Sequence, residues 1–293
     1  MDRMPSQDSK LARISRSMPI RLVVMFVALA ALDLACQILG GFAVHRVPPL
    51  AQTATGLGAA LLLSVLMIAA YRWLVHTLEK RAADELSSAE AARRLVQGVV
   101  VGAALFVAVY GVLFALGAVT FQGSGGLSGL GVALAIAVSS AVGEEIVFRG
   151  VVFRLLEGRL GTTLALILSA GAFGLIHAGN DGATWVSTLA IALESGVLLA
   201  LAYAASRSLW LPIGLHFGWN FTEGGIFGAA VSGGKYTGLI SAHLSGARAI
   251  TGGAFGPEAS VVALAVALSG SAFLAWHTMR KRAWRRSIWG TSS

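Results

Sequence analysis

Two adjacent glutamates, Glu144 and Glu145, and an arginine four residues beyond the second, Arg149, lie inside an apolar stretch running from Leu130 to Leu156. Ionisable groups in such a stretch are costly and mark a functional site by default. At about 100° per residue, Glu145 and Arg149 fall only about 40° apart around a helix axis and can pair on one face. Glu144 then lies about 140° from Arg149, free to face a cavity while its neighbour is neutralised. A carboxylate beside a second carboxylate in low dielectric suits general-base chemistry. The plainer reading is a structural ion pair between helices, with Glu144 completing it.

Two further apolar stretches carry polar groups at helical spacing. Phe173-Gly174-Leu175-Ile176-His177 stacks a ring and an imidazole one turn apart. Gly214-Leu215-His216-Phe217-Gly218-Trp219-Asn220 sets His216 and Asn220 on one face, and its two glycines form a small-xxx-small ridge that lets another helix approach closely. Alone, His177 reads as an interfacial or hydrogen-bonded bystander, and His216 with Asn220 as interhelical glue. Their sum with Glu144 and Arg149 is the inventory of an active site. Glu223, seven residues after His216, returns to nearly the same face and is a candidate to line the cavity or orient a histidine. Glu194 is a comparable candidate, whereas Asp33 reads as an interhelical contact outside the site.

The elements that must position these groups are membrane spans. Of the 293 residues, 56% are hydrophobic and only 12% charged, which describes a polytopic membrane protein better than a soluble domain. Eight apolar stretches have about the length that crosses hydrocarbon as a helix: Ile20–Val44, Gly56–Val75, Leu95–Val119, Gly129–Phe153, Thr162–Ala178, Trp185–Ala205, Leu211–Val231 and Glu258–Met279. The expected fold is an all-α helical bundle of about eight transmembrane helices, forming one integral membrane domain over residues 1–293.

Charge sets its orientation. Arg3, Lys10, Arg13, Arg16 and Arg21 crowd the head, Arg280, Lys281, Arg282, Arg285 and Arg286 the tail. Lys80, Arg81, Arg93 and Arg94 lie in the polar, helix-prone stretch His76–Arg94; Arg154, Arg159 and Arg207 fall in the other loops of that side. The opposite loops hold only Arg46, Lys235 and Arg248, so both termini are expected in the cytoplasm. The net charge of +8 is thereby a topology signal, and nucleic acid is not an expected partner. The basic tail 280–293, with Trp284 and Trp289 and with Trp276 just before it, reads as interfacial anchoring to anionic membrane lipid. The single Cys36 rules out an intramolecular disulfide; Asp33 before it fits a lipoprotein cleavage site poorly, so the first span is read as a retained anchor. The Gly-rich stretch Ser232–Gly256 is the longest loop and the one expected to move.

The three segments Glu-Glu-x-x-x-Arg, Phe-x-x-x-His and His-x-x-x-Asn, in this order and each inside a hydrophobic span, resemble the three motifs of the CPBP family, the CAAX prenyl endopeptidases and bacteriocin-processing proteins. The resemblance covers about residues 129–231, the expected catalytic core. It implies an intramembrane endopeptidase that cuts a peptide bond near the membrane surface, with Glu144, His177, His216 and Asn220 in its site and Glu145 and Arg149 supporting them. In the expected mechanism Glu144, aided by His177, deprotonates a water, while His216 and Asn220 stabilise the oxyanion. A second version uses a divalent metal such as zinc on one carboxylate and two imidazoles, although no His-Glu-x-x-His pair is present. A proton-coupled transporter and a non-proteolytic immunity or scaffold protein with the same fold are the alternatives outside protease chemistry. The expected partner is a peptide or protein substrate, with lipid modification left open, and the expected location a bacterial plasma membrane. One difficulty stands: straight spans would leave His177 and Glu144 at different depths. Tilt, or a segment around Leu155–Thr163 that dips below the surface, must remove the offset, and Gly158, Gly161, Gly171 and Gly174 offer places to bend.

Overall fold

A computed structural model describes residues 17–127 and 129–287, so Arg3, Lys10, Arg13, Arg16 and Trp289 lie outside the described residues. The α-helices of seven residues or more among the described residues are α1 (Met18–Arg46), α2 (Pro49–Leu74), α3 (Ala91–Ala115), α4 (Leu130–Glu145), α5 (Arg154–Ile176), α6 (Trp185–Ile191), α7 (Val197–Ser206), α8 (Trp210–Asn220) and α9 (Val261–Arg280). Wider, π-type turns join α4 to α5 over Ile146–Phe153 and α6 to α7 over Ala192–Gly196, and continue α8 over Phe221–Ile226. Each of the eight apolar stretches is mostly helical, although the third ends in the first residue of a strand and the seventh loses its helix after Ile226. Among the described residues six helical runs, not eight, are long and apolar enough to cross a membrane: the fourth and fifth stretches form one run, and the helix of the seventh, Trp210–Asn220 with its continuation to Ile226, is not among the six. Large apolar side chains such as Val24, Leu39, Leu62 and Leu168 face outward, as lipid allows and water would not. The chain is an all-α, multi-pass integral membrane protein.

The fourth and fifth expected spans form one helical run of 50 residues, Leu130–Gly179, folded at Gly161. Gly161 adopts φ 74°, ψ 170°, a conformation that glycine reaches without the steric cost of a Cβ. The residues that follow are held there by the tail. Thr162 donates its N–H to the Arg285 carbonyl (3.0 Å), and Arg285 returns its own N–H to the Thr162 hydroxyl (2.9 Å). The helix does not stop near Phe153 because the charges beyond it are paired. Arg154 grips Glu79 at 2.5 and 2.8 Å, and Glu157, fully buried, takes Arg207 and the Thr162 hydroxyl. Glu144 lies seventeen residues before Gly161 and His177 sixteen after it, so both stand about 25 Å along their arms from the common bend. The depth offset expected from straight spans is thereby removed.

The seventh stretch is seated by glycine on glycine. A Cβ on Gly98 or Gly102 of α3 would collide with backbone of Leu211, Leu215 and Trp219, and one on Gly214 or Gly218 of α8 with backbone of Leu95 and Val99. The ridge expected on α8 thus meets a matching one on α3, and the two axes close together. Phe106, Tyr110, Trp219 and Phe227 pack beside this crossing, Tyr110 and Phe227 stacked at 3.9 Å. One feature departs from the purely helical expectation. Strands β1 (Val119–Ser124) and β2 (Ile240–Leu244) pair antiparallel, with a bulge between Phe121 and Gly123. The Gly-rich stretch therefore supplies one strand of a short ribbon, the other strand following α3, where a plain loop was expected. At one end of the molecule Thr184 and Ser187 form a reciprocal cap on α6, and Ser260 caps α9.

Replacing Gly102 by Leu forces α3 and α8 apart, and the purified protein in detergent should lose most of its cooperative thermal transition. Gly111→Ala on the same helix meets open space and should leave the midpoint unchanged or slightly higher, by about 1 kcal/mol of helix propensity.

Candidate active site

The site is organised around Glu145, whose side chain is fully buried. Its Oε1 accepts from Arg149 Nη1 at 2.8 Å, the one-turn pairing expected from the spacing. The same oxygen accepts from His216 Nδ1 at 2.9 Å, so one carboxylate ties the α4 arm to α8. Arg149 also donates Nη2 to the carbonyls of Ser195 (2.8 Å) and Gly196 (3.2 Å), drawing in the turn between α6 and α7. Its guanidinium lies 4.4 Å from the centre of the Phe173 ring. Phe173 in turn meets Phe148 edge-on, His177 at 4.8 Å and His216 at 6.4 Å between ring centres. The phenylalanine of the second motif is a packing hub against which both imidazoles are set.

Glu144 points elsewhere, as the helical geometry requires. It lines a cavity of about 250 Å³ together with His177, His216 and Asn220, the four residues expected to meet. His177 Nδ1 donates to the Phe173 carbonyl at 2.8 Å, because a carbonyl can only accept. In the neutral ring this leaves Nε2 as the acceptor nitrogen, and it faces Glu144 Oε2 at 3.9 Å. His216 uses Nδ1 on Glu145 and has Nε2 left over. Asn220 ends α8 one turn beyond His216, and among the described residues its amide takes no hydrogen-bond partner.

The other acids divide between this cavity and the interior around it. Glu223 and Glu194 are fully buried but do not line this cavity; both Glu223 oxygens and Glu194 Oε2 lack hydrogen-bond partners. Glu258, singled out above only as the start of a span, does line it and accepts the Ser232 N–H. Asn180 and Tyr236 complete that wall, with Asn180 Nδ2 donating to the Ser232 carbonyl at 3.0 Å. These three come from connections whose return over the site has no periodic signal in the sequence. An acid directly after Gly-Pro at the head of an apolar run was the one available hint. Asp33 behaves as an interhelical contact: it accepts from Gln37 Nε2 at 2.6 Å and lies against Gly143, where no side chain would fit. It thereby touches the residue next to Glu144, while Gln37 reaches the cavity. For the metal version, no three His, Cys, Asp or Glu side chains among the described residues are grouped to hold an ion. The donor set does not fit that scheme, since the carboxylate nearest His216 is Glu145 and not Glu144.

Glu145→Gln removes the counter-charge of a buried arginine and the acceptor of His216, and should lower stability by about 3 kcal/mol in thermal unfolding. Glu144→Gln, on the cavity wall, should change it by less than about 1 kcal/mol.

The geometry can be set beside known proteins. Residues 126–222 match the family described as type II CAAX prenyl endopeptidase, Rce1-like. The “Putative membrane peptidase YdiL” of Bacillus subtilis (strain 168) is 34% identical over 92 residues, covering 30% of this chain; the match spans about a third, 35%, of that relative's length. No solved structure matches. Motif order, family match and relative agree: residues 126–222, which carry Glu144, His177, His216 and Asn220, are similar to a type II CAAX prenyl endopeptidase, and the chain is similar to a membrane peptidase over that part of its length.

Proposed function

We propose that the chain is a glutamate-dependent intramembrane endopeptidase whose reacting water sits between Glu144 and His177. The observation that carries this reading is their 3.9 Å separation across the cavity. That distance is too long for a direct hydrogen bond and suits one bridging water. The His177 lone pair, fixed by the Nδ1–H bond to Phe173, accepts a hydrogen bond from the water and orients it, while Glu144 takes the other water proton in the attack. The hydroxyl adds to the scissile carbonyl, and the proton taken by Glu144 passes to the leaving amine as the tetrahedral intermediate collapses.

His216 and Asn220 take the oxyanion. A carboxylate only accepts, so the His216 Nδ1 bonded to Glu145 carries a proton. Donation from Nε2 requires the second proton, and the Nδ1–H bond to the Glu145 carboxylate is kept when that proton is present. The free Asn220 amide supplies the other donor. In a water-poor cavity each preorganised donor is worth roughly 3 kcal/mol in the transition state.

The substrate is a peptide or protein with an apolar or lipid-modified part. Gln37, Ile136 and Ser139 line the cavity and also an apolar groove of about 430 Å³ between α1, α2 and α4, walled by Gly40, Gly56 and Ala59. A substrate entering from lipid reaches Glu144 along that groove. The catalytic core is residues 129–231, and both termini face the cytoplasm.

Comparative proteomics of membrane peptides from cells carrying the intact protein or Glu144→Gln tests the reading. Cleavage products should disappear with Glu144→Gln, and undiminished products would overturn it. With a substrate in hand, Asn220→Ala should lower kcat by about 100- to 1000-fold with an unchanged melting midpoint. Activity should survive exhaustive chelation, and loss reversed by zinc would favour the metal scheme.

A further inference from the structure

One end of the bundle holds a second, polar cavity of about 430 Å³, formed by the start of α1, the α2–α3 connection, the turns before Gly161, the end of α7 and residue Arg285. Arg21, Arg81, Arg154, Arg159, Arg207 and Arg285 line it, against four acids. Three of these acids form the back wall. The side chains of Glu79, Glu85 and Glu157 are 0–6% exposed, while their arginine partners are 13–55% exposed. The negative charge is sealed behind guanidinium groups, and the open face is cationic. Burial works against ionisation of Glu85, but the Arg81 and Arg154 guanidiniums and the Tyr71 hydroxyl hold its carboxyl below the usual carboxylate range.

The pairing leaves donors over. Glu79 takes Arg154 and Arg81, Glu85 takes Arg81, and Glu157 takes Arg207, with Arg285 farther off at 3.7 Å. Arg21 Nε is shut away from solvent without a hydrogen-bond partner, and Arg159 has no ion pair among the described residues. Asp84 is the single acid on this wall that could offset them. Guanidinium forks with spare N–H groups match the oxygens of a phosphate. Beside Arg21, Val23 and Val24 of α1 face outward as apolar surface. A phosphate seated on Arg21 would therefore have hydrocarbon-compatible protein surface running away from it along the helix.

We propose that this cavity binds the phosphate of an anionic lipid headgroup, with Arg21 and Arg159 as its free anchors and the acyl chains lying along α1. The site is separate from the cavity of Glu144 and does not rest on proteolysis.

The test is native mass spectrometry of the full-length protein purified in detergent and offered phosphatidylglycerol or phosphatidylcholine. The intact protein should retain phosphatidylglycerol in about tenfold preference, and Arg21→Gln/Arg159→Gln should abolish the preference. Arg46→Gln, at the other end of α1, should keep it. Arg21→Lys/Arg159→Lys, which preserves charge and loses the fork, should retain an intermediate preference and guards against misfolding of the glutamine form. An unchanged preference in the glutamine form, or none in the intact protein, would overturn the proposal. Displacement of the lipid by millimolar inorganic phosphate would assign the site to a soluble phosphate and overturn the lipid assignment.

Discussion

A single buried oxygen, Oε1 of Glu145, holds together the parts of the molecule on which the cavity depends. Arg149 reaches it from the same helix and His216 from α8, while the far side of the guanidinium binds the carbonyls between α6 and α7. A buried ion pair of this kind is a poor source of net stability, because desolvating both charges cancels most of their attraction. Its value is directional. It accepts only one arrangement of three helical elements, and the cost of leaving either partner alone in the interior penalises every other arrangement.

This constraint frees the neighbouring residue. With Glu145 committed to Arg149 and His216, the helical step turns Glu144 toward the cavity, where His177 waits on the returning arm. Phe173 separates the two histidines and carries Arg149 on its face, so the aromatic ring sets the spacing that charge alone would not. The fold at Gly161 does the rest. By sending the chain back on itself, it brings sites sixteen and seventeen residues away on either side to one level. The tail at Arg285 locks that turn, which gives the basic C-terminal segment a structural role beside its charge.

The two ends of the protein use charge in opposite ways. Near the Glu144 cavity, charges are few: Glu145 and Arg149 hold each other and Glu258 takes the Ser232 N–H, while Glu144 is left open to the cavity. At the arginine-lined end, acids are buried behind cations and the excess positive charge lines an open cavity. Lipid as solvent permits both: the apolar exteriors of α1, α2 and α5 need no covering, so polar groups can be concentrated where binding or chemistry uses them.

Much of this was present in the residues by themselves. Apolar length marked the helices, the spacing of Glu144, Glu145 and Arg149 decided which carboxylate would be paired, and Gly214 with Gly218 announced a close helix crossing, all consequences of helical periodicity within one segment. What lies between segments was decided only in three dimensions. That Glu145 serves His216 as well as Arg149, that Glu258 rather than Glu223 reaches the cavity, and that β1 finds β2 across more than a hundred residues depend on how the chain returns. So does the choice of Gly161 among several glycines able to bend the helix, because it was settled by Thr162 and Arg285 meeting there. A local period carries no information about such meetings, which arise from packing and hydrogen bonding between distant parts of the chain.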